Sequence, residues 1–321
     1  MLVHVAIFVF TGAHRPRSFD VCVGISGLRF CSGISERRWR RLWNTGMTLR
    51  AKKTFGQHFL VDQTAIGHII AAADIRPGER VLEIGPGTGV LTRALVEAGA
   101  RVVAVEADGE LIPALERQFG ENIVLMKGDI LQKSFDQLRW PSRFRPVDAS
   151  RRPVVESAHP GDDTWKLVAN IPYNITSAIL ERFLTTSPKP VRMVLMVQKE
   201  VADRLTARPP DMGVLSVVCQ LYAQCERIAV VKAGAFRPIP KVDSAIVRLD
   251  LYQRAHPALG GLDPERVIAL VKRGFASRRK QLKTNLGPSI VHVLASLRID
   301  PKARAQELTT EEWIHVTQMI N

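Results

Sequence analysis

Asn170-Ile171-Pro172-Tyr173 concentrates more usable chemistry than any other stretch of this chain. It follows Leu167-Val168-Ala169, an apolar run that reads as a buried strand. A strand ending this way delivers three groups to one place. The amide of Asn170 supplies a hydrogen-bond acceptor. The strand end and Pro172 leave backbone carbonyls unpaired. The ring of Tyr173 offers a flat face for a nucleobase. This set suits holding an exocyclic amine, such as adenine N6, against an electrophile. Alone the tetrapeptide is a weak signal, because Asn-Pro clusters also mark ordinary turns.

The elements upstream must position those groups and supply the electrophile. Arg80-Val81-Leu82-Glu83-Ile84 reads as a short buried strand, followed by Gly85-Pro86-Gly87-Thr88-Gly89 and then apolar residues at helical spacing through Val96. Glycines at a strand-to-helix turn let the backbone approach a ligand closely. Their spacing differs from the Gly-x-Gly-x-x-Gly of dinucleotide sites. The next strand, from Arg101 to Val105, ends in Glu106. That acid falls about 20 residues past the glycines, where α/β nucleotide sites place the carboxylate that binds ribose hydroxyls. A third strand, from Ile123 to Met126, leads to Gly128-Asp129, whose carboxylate can accept from an adenine amino group. Each feature has a bland reading: a tight turn for the glycines, solvated loop acids for Glu106 and Asp129. Their order on successive strand ends favours a nucleoside-cofactor site.

Glu83 to Gly89, Glu106, Asp129 and Asn170-Ile-Pro-Tyr173 together resemble the S-adenosylmethionine-dependent adenine-N6 methyltransferases. Lys53-Thr54-Phe55-Gly56-Gln57-His58-Phe59-Leu60 resembles the leading motif of the ribosomal RNA adenine dimethyltransferase family, and Asn170 to Ile175 and Phe236 to Ser244 resemble two further motifs of that family. The resemblance runs from about Lys52 to the C-terminus, less one inserted stretch. It is closer to the bacterial small-subunit enzymes than to the antibiotic-resistance relatives that act on large-subunit RNA.

The resemblance implies an α/β fold: a Rossmann-like class I methyltransferase sheet with a smaller C-terminal all-helical domain. It implies S-adenosyl-L-methionine as methyl donor and no metal. His58, Leu60, Gly85, Glu106, Asp129 and Asn170 are the implied cofactor contacts, and Asn170, Pro172, Tyr173 and Phe236 the implied catalytic residues. His58 stands where many members carry Asn; it can still donate to a carboxylate and is kept as a contact. Phe236 either anchors the core or lies on the far face of the target base from Tyr173, and the resemblance selects the second role. The implied reaction is methyl transfer to N6 of two adjacent adenosines in a hairpin near the 3′ end of small-subunit (16S) ribosomal RNA. Dimethylation comes from the resemblance alone. The implied partners are that RNA and the pre-30S particle, with the chain a monomer in the cytoplasm and a role in subunit biogenesis. Other readings are an adenine-N6 methyltransferase on large-subunit RNA or DNA, and a non-catalytic ribosome-assembly or transcription factor on the same fold. Intact Asn170, Tyr173, Glu106 and Asp129 argue against the last.

Composition agrees. The chain has 321 residues, enough for one sizeable core and a smaller attached domain. A formal net charge of +14 favours a polyanionic partner. Cys22, Cys31, Cys219 and Cys225 form no Cys-x-x-Cys pair, so neither zinc nor a disulfide framework is indicated, and a reducing compartment is the simplest inference. The apolar run from Leu2 to Phe10 is too short to cross a bilayer and lacks a positive leading segment.

Residues 1–46 lie outside the resemblance and hold Arg15, Arg17, Arg29, Arg37, Arg38, Arg40 and Arg41 against Asp20 and Glu36. Three readings compete: a transit peptide, which would make the location mitochondrial, a disordered RNA-binding arm, or a misassigned start with Met47 first. The lack of pattern and the family motif soon after Met47 favour the last. Residues 47–250 then form the methyltransferase domain. A Pro-, Arg-, Asp- and Ser-rich stretch at 136–163 reads as a solvated loop insertion, with RNA contact through Arg143, Arg145, Arg151 and Arg152 as the lesser alternative.

Downstream, Met193 to Val197, Ile228 to Val231 and Ser244 to Leu249 read as strands, Gln198 to Ala207 as a polar helix, and Val214 to Ala223 as helix or strand. The prolines of Phe236-Arg-Pro-Ile-Pro240 exclude a central strand and predict a stiff loop. From residue 251 the chain turns helical, with helices over Pro264 to Phe275 and Thr309 to Ile320. This segment holds eleven Lys or Arg against six Asp or Glu. The bland reading is a solvated helix face. The functional one makes 251–321 an RNA-binding domain, with Arg278, Arg279, Lys280 and Lys283 on phosphates.

Overall fold

The computed structural model describes residues 52, 56–138, 164–253 and 256–320. The expectations for 1–46 and for most of the 136–163 insertion lie outside these residues. The described elements all belong to one compact unit, Ala51–Asn321.

Seven strands form one mixed sheet, and a two-residue strand β1 (Phe59–Leu60) forms a separate pair with β8 (Phe236–Arg237). In the main sheet β2 (Arg80–Ile84), β3 (Arg101–Glu106), β4 (Ile123–Lys127), β5 (Trp165–Asn170) and β6 (Arg192–Gln198) are parallel, while β9 (Ser244–Leu251) runs antiparallel between β6 and β7 (Ala223–Val231). The order is β4-β3-β2-β5-β6-β9-β7. The sequence of β2, β3 and β5 is nearly all apolar because parallel strands are covered on both faces; Val81, Leu82, Val102, Val103, Leu167 and Val168 are fully buried.

The chain leaves β2 toward β3 and β4, then returns to lay β5 on the other side of β2. That reversal opens a crevice at the carboxyl ends of β2 and β5, the place where open α/β sheets bind ligands. Register fixes the two tips side by side: Glu83 pairs with Val168, one residue before Ile84 and two before Asn170.

Helices cover the sheet. Helix α1 (Gln63–Ala73) begins where the carboxylate of Asp62 caps the backbone N–H of Ala65 at 2.7 Å. Helix α2 (Val90–Glu97) follows the glycines, α3 (Ile112–Phe119) follows β3, and α4 (Thr176–Thr185) follows Tyr173. Ile179, Leu180, Phe183 and Leu184 of α4 pack into the principal core with Leu167, Leu195 and Val247. After α5 (Lys199–Leu205), α6 (Val214–Tyr222) resolves the helix-or-strand ambiguity as helix, and β7 starts directly at Ala223.

After β9 the described elements are helical: α7 (Pro264–Gly274), α8 (Leu282–Leu286), α9 (Ile290–Ser296) and α10 (Thr310–Ile320). Their core gathers Val267, Leu282, Leu294, Trp313 and Ile314. Gly274 is required there, since a Cβ would stand 2.3 Å from the Trp313 ring. Helix α6 serves both cores, with Val217 and Leu221 in the helical lobe and Cys219 against the sheet. No helix among the described residues is long and apolar enough to cross a membrane.

Candidate active site

The tips of β2, β3, β4 and β5 line one cavity of about 280 Å³. Gly85 follows β2, Glu106 ends β3, Gly128-Asp129 follows β4 and Asn170 ends β5. His58, Leu60, Pro172 and Tyr173 complete the wall. Eight sequence-predicted site residues therefore share one space.

On the β2 side of the cavity, Gly85 has φ +66°, and no atom lies within 4 Å of where a Cβ would stand. Its backbone faces open cavity, so a ligand can approach it directly. Glu106 is buried; Oε2 accepts the N–H of Gly87 at 3.0 Å and Oε1 that of Asp108 at 2.8 Å. Burial pushes its carboxyl above the usual range, and those backbone donors oppose the shift. They also fix the carboxylate where ribose hydroxyls could donate to its remaining lone pairs. Asp129 Oδ1 caps the turn after β4, accepting from Leu131 N–H at 2.9 Å. Arg182 of α4 pins the same turn through the carbonyls of Ile130, at 2.6 Å, and Lys133. Asp108 tethers the leading segment, accepting from Lys52 Nζ at 2.8 Å and Gln57 Nε2 at 2.9 Å. Gln57 thereby becomes part of the cavity wall.

Glu83 was not among the expected contacts. It lines the cavity and is buried, and its Oε2 has no hydrogen-bond partner. Burial pushes its carboxyl up to about 8, and the nearby Glu106 raises it further while Thr92 opposes the shift. An acid among the apolar residues Val81, Leu82 and Ile84 was the available sequence signal, because charges are rarely buried without a partner.

On the β5 side of the cavity, Asn170 Nδ2 donates to the carbonyl of His58 at 3.2 Å. This orients the amide and leaves Oδ1 as an acceptor. The carbonyl of Pro172 is used by Ile175 N–H at 3.1 Å, closing a 3-10 turn. Tyr173 is half-buried; its hydroxyl lies 2.7 Å from Ser244 Oγ, and its ring stacks on His58 with centroids 5.9 Å apart and planes at 25°. Burial raises the phenol above its ordinary pKa, partly offset by Ser244. Sequence reasoning missed Ser244 as a contact, although it closes the motif that begins at Phe236. His58 Nδ1 donates to the carbonyl of Pro238 at 2.8 Å. Its ring thus lies against Pro238 and Tyr173 on the cavity wall.

Phe236 departs from expectation. It is fully buried and is not among the cavity-lining residues. Pairing of β8 with β1 sets Phe236 opposite Leu60. The stiff loop after it begins at Pro238, one residue past a short strand. Arg278, Arg279 and Lys280, in the turn between α7 and α8, and Lys283 in α8 sit apart from the cavity, exposed on the helical lobe. Among the described residues, no group of three His, Cys, Asp or Glu could hold a metal ion.

The chain is similar to known proteins. The sequence profile described as "Ribosomal RNA adenine dimethylase" matches residues 48–321. The "Ribosomal RNA small subunit methyltransferase A" of Dehalococcoides mccartyi (strain BAV1) is 40% identical over 277 residues, 84% of this chain and 88% of that protein. The protein of the same description from Trichormus variabilis is 40% identical over 289 residues, covering 85% and 98%. Among solved structures, the 23S rRNA methyltransferase ErmE superposes with a TM-score of 0.63 at 28% identity, covering 81% of this chain and 98% of that one. A dimethyladenosine transferase from Plasmodium falciparum shares the fold, with TM-score 0.63, 24% identity and coverage of 81% and 96%. With a family profile spanning most of its length and relatives at this identity, the chain belongs to the ribosomal RNA adenine dimethylase family.

Proposed function

We propose that this chain transfers methyl groups from S-adenosylmethionine to N6 of two adjacent adenosines in a hairpin near the 3′ end of small-subunit ribosomal RNA, giving N6,N6-dimethyladenosine. The observation that carries the reading is the placing of Gly85 and Asn170 on adjacent strand tips of one cavity, with Tyr173 at its edge. The small subunit is favoured over the large because the small-subunit relatives reach 40% identity, against 28% for the 23S enzyme.

The residues fit the donor. Gly85 leaves room for it, Glu106 would hold its ribose, Asp129 its adenine amino group, and the partnerless oxygen of Glu83 would receive a further polar hydrogen. Leu60, buried on the cavity wall, would pack against it. When bound, S-adenosylmethionine supplies a methyl on a sulfonium, already a strong electrophile. Alignment and exclusion of water are left to the protein and contribute several kcal/mol.

Adenine N6 is a weak nucleophile because its lone pair is delocalised into the ring. Acceptors at both N6 hydrogens draw that pair out of conjugation. Asn170 Oδ1 is one acceptor. The second would be a backbone carbonyl beside Pro172: that of Ile171 lines the same cavity, while that of Pro172 already accepts one N–H. After transfer the nitrogen carries a positive charge and its proton leaves to solvent, so no strong base is required. The base must leave its stack, at a cost of a few kcal/mol. Stacking on Tyr173 returns roughly 1–3 kcal/mol of that.

The exposed basic groups of the helical lobe would contact phosphates and position the RNA by shape. The protein would act as a cytoplasmic monomer on the assembling subunit. Incubating it with labelled S-adenosylmethionine and unmethylated small subunits, large subunits or DNA tests this reading. Dimethyladenosine in the small subunit alone is expected; label confined to another substrate, or no transfer, overturns it.

A further inference from the structure

Ile239 is 61% exposed and Val242 44% exposed, both in the segment between β8 and β9. A singly exposed apolar side chain is ordinary; what singles these two out is the segment that carries them. Pro238 and Pro240 flank Ile239 and fix the φ of its neighbours, which limits how far the tip can fold away.

The segment is tied to the cavity wall at both ends. At its start, the carbonyl of Pro238 receives the Nδ1 hydrogen of His58 at 2.8 Å, and His58 lies against Tyr173. At its end, Ser244 Oγ is 2.7 Å from the Tyr173 hydroxyl. The side chain of Asp243 accepts from Ala233 N–H at 3.0 Å and Lys232 Nζ at 2.9 Å, and its carbonyl accepts from Lys199 N–H at 2.9 Å. Ile239 therefore follows directly on a residue that is hydrogen-bonded to the wall of the base pocket. Around the tip stand the exposed cations Arg237 and Lys241. Arg237 donates only to backbone carbonyls of Gly234 and Phe236, and neither cation has a described ion pair. An apolar point between unneutralised cations matches stacked bases between phosphates.

We propose that Ile239 is a wedge for nucleic acid: it enters the base stack beside the target adenosine and fills the gap left when that base occupies the pocket at Tyr173. Other proteins kink or open duplexes with inserted apolar side chains in this way. Val242 supports the tip, and Arg237 and Lys241 take the flanking phosphates. The proposal rests on the RNA methyltransferase reading above and adds the means by which the base is held out.

The test uses small subunits reconstituted with 2-aminopurine at a target position, together with ordinary unmethylated subunits. Wild type should raise the fluorescence on binding. Ile239→Ala should bind subunits within about twofold of wild type, fail to raise the fluorescence, and lose roughly tenfold in kcat, in keeping with an unassisted unstacking step. Ile239→Leu should restore both signals. At this exposure the substitutions should leave the melting temperature unchanged. Ile239→Ala that flips the base and turns over like wild type overturns the wedge, as does a loss that appears wholly in binding. If wild type itself transfers no methyl to small subunits, the underlying functional reading has failed instead.

Discussion

The hydroxyl of Tyr173 lies 2.7 Å from Oγ of Ser244, so an aromatic ring on the cavity wall is held by the last residue of a motif 71 positions away. Ser244 is fully buried at the start of β9, paired with Gln198 on β6 and Val231 on β7. Its position is therefore set by the sheet and passed on to the ring. Ser244→Ala should cost about 1 kcal/mol of stability, the usual net worth of one such bond. It should lower kcat several-fold with little change in KM for subunits. Tyr173→Phe removes the same bond from the other side. A double-variant cycle read in kcat should show the two losses failing to add; full additivity would mean the pair does not work as a unit.

Asn170→Ala should reduce transfer by about 10²–10³-fold, the scale seen when one preorganised polar contact to the reacting group is removed. RNA binding should persist, because the amide contributes little surface. Single-turnover rates beside filter-binding affinities would separate the two. Normal turnover by Asn170→Ala would end the amine-polarising account.

Glu83 gives a pH signature. Its folded pKa of about 8 lies above the ordinary carboxyl value, so between roughly pH 4.5 and 8 the folded state holds a proton that the unfolded state has released. Stability should then fall as pH rises through that window, by an amount on the order of a few kcal/mol. Glu83→Gln, which mimics the neutral acid, should flatten the curve. Urea denaturation of both proteins at pH 5, 6, 7 and 8 reads the difference; parallel curves would show that Glu83 is ionised throughout.

Neutralising Arg278, Arg279 and Lys280 should weaken RNA binding without altering S-adenosylmethionine binding. If all three meet phosphates, the plot of log affinity against log salt should become shallower by about 2 units. An unchanged slope would return these residues to the role of a solvated face.

Much of this arrangement was legible because parallel strands write themselves plainly. Arg80–Ile84 and Arg101–Glu106 are mostly apolar and buried on both faces and are punctuated by glycine or an acid, so their ends could be placed almost to the residue. The pocket residues sit at those ends, and they were found with them. Helix α4 was missed because its start, Thr176, follows the turn of Tyr173 to Ile175 with no side-chain cap to mark it. The burial of Phe236 was misjudged because a two-residue pairing with Leu60 leaves no periodic trace. The partners of His58 were equally hidden: Pro238 is 180 positions distant and contributes only a backbone carbonyl.

Helix α6 lends Val217 and Leu221 to the helical lobe while Cys219 packs against the sheet. One rod is thus mortised into both halves, and neither can swing without tearing the other's interior. If those cations hold RNA and Tyr173 its base, as proposed, the span between them would act as a built-in ruler, admitting only an RNA whose reactive adenosine falls at one set reach from the gripped backbone.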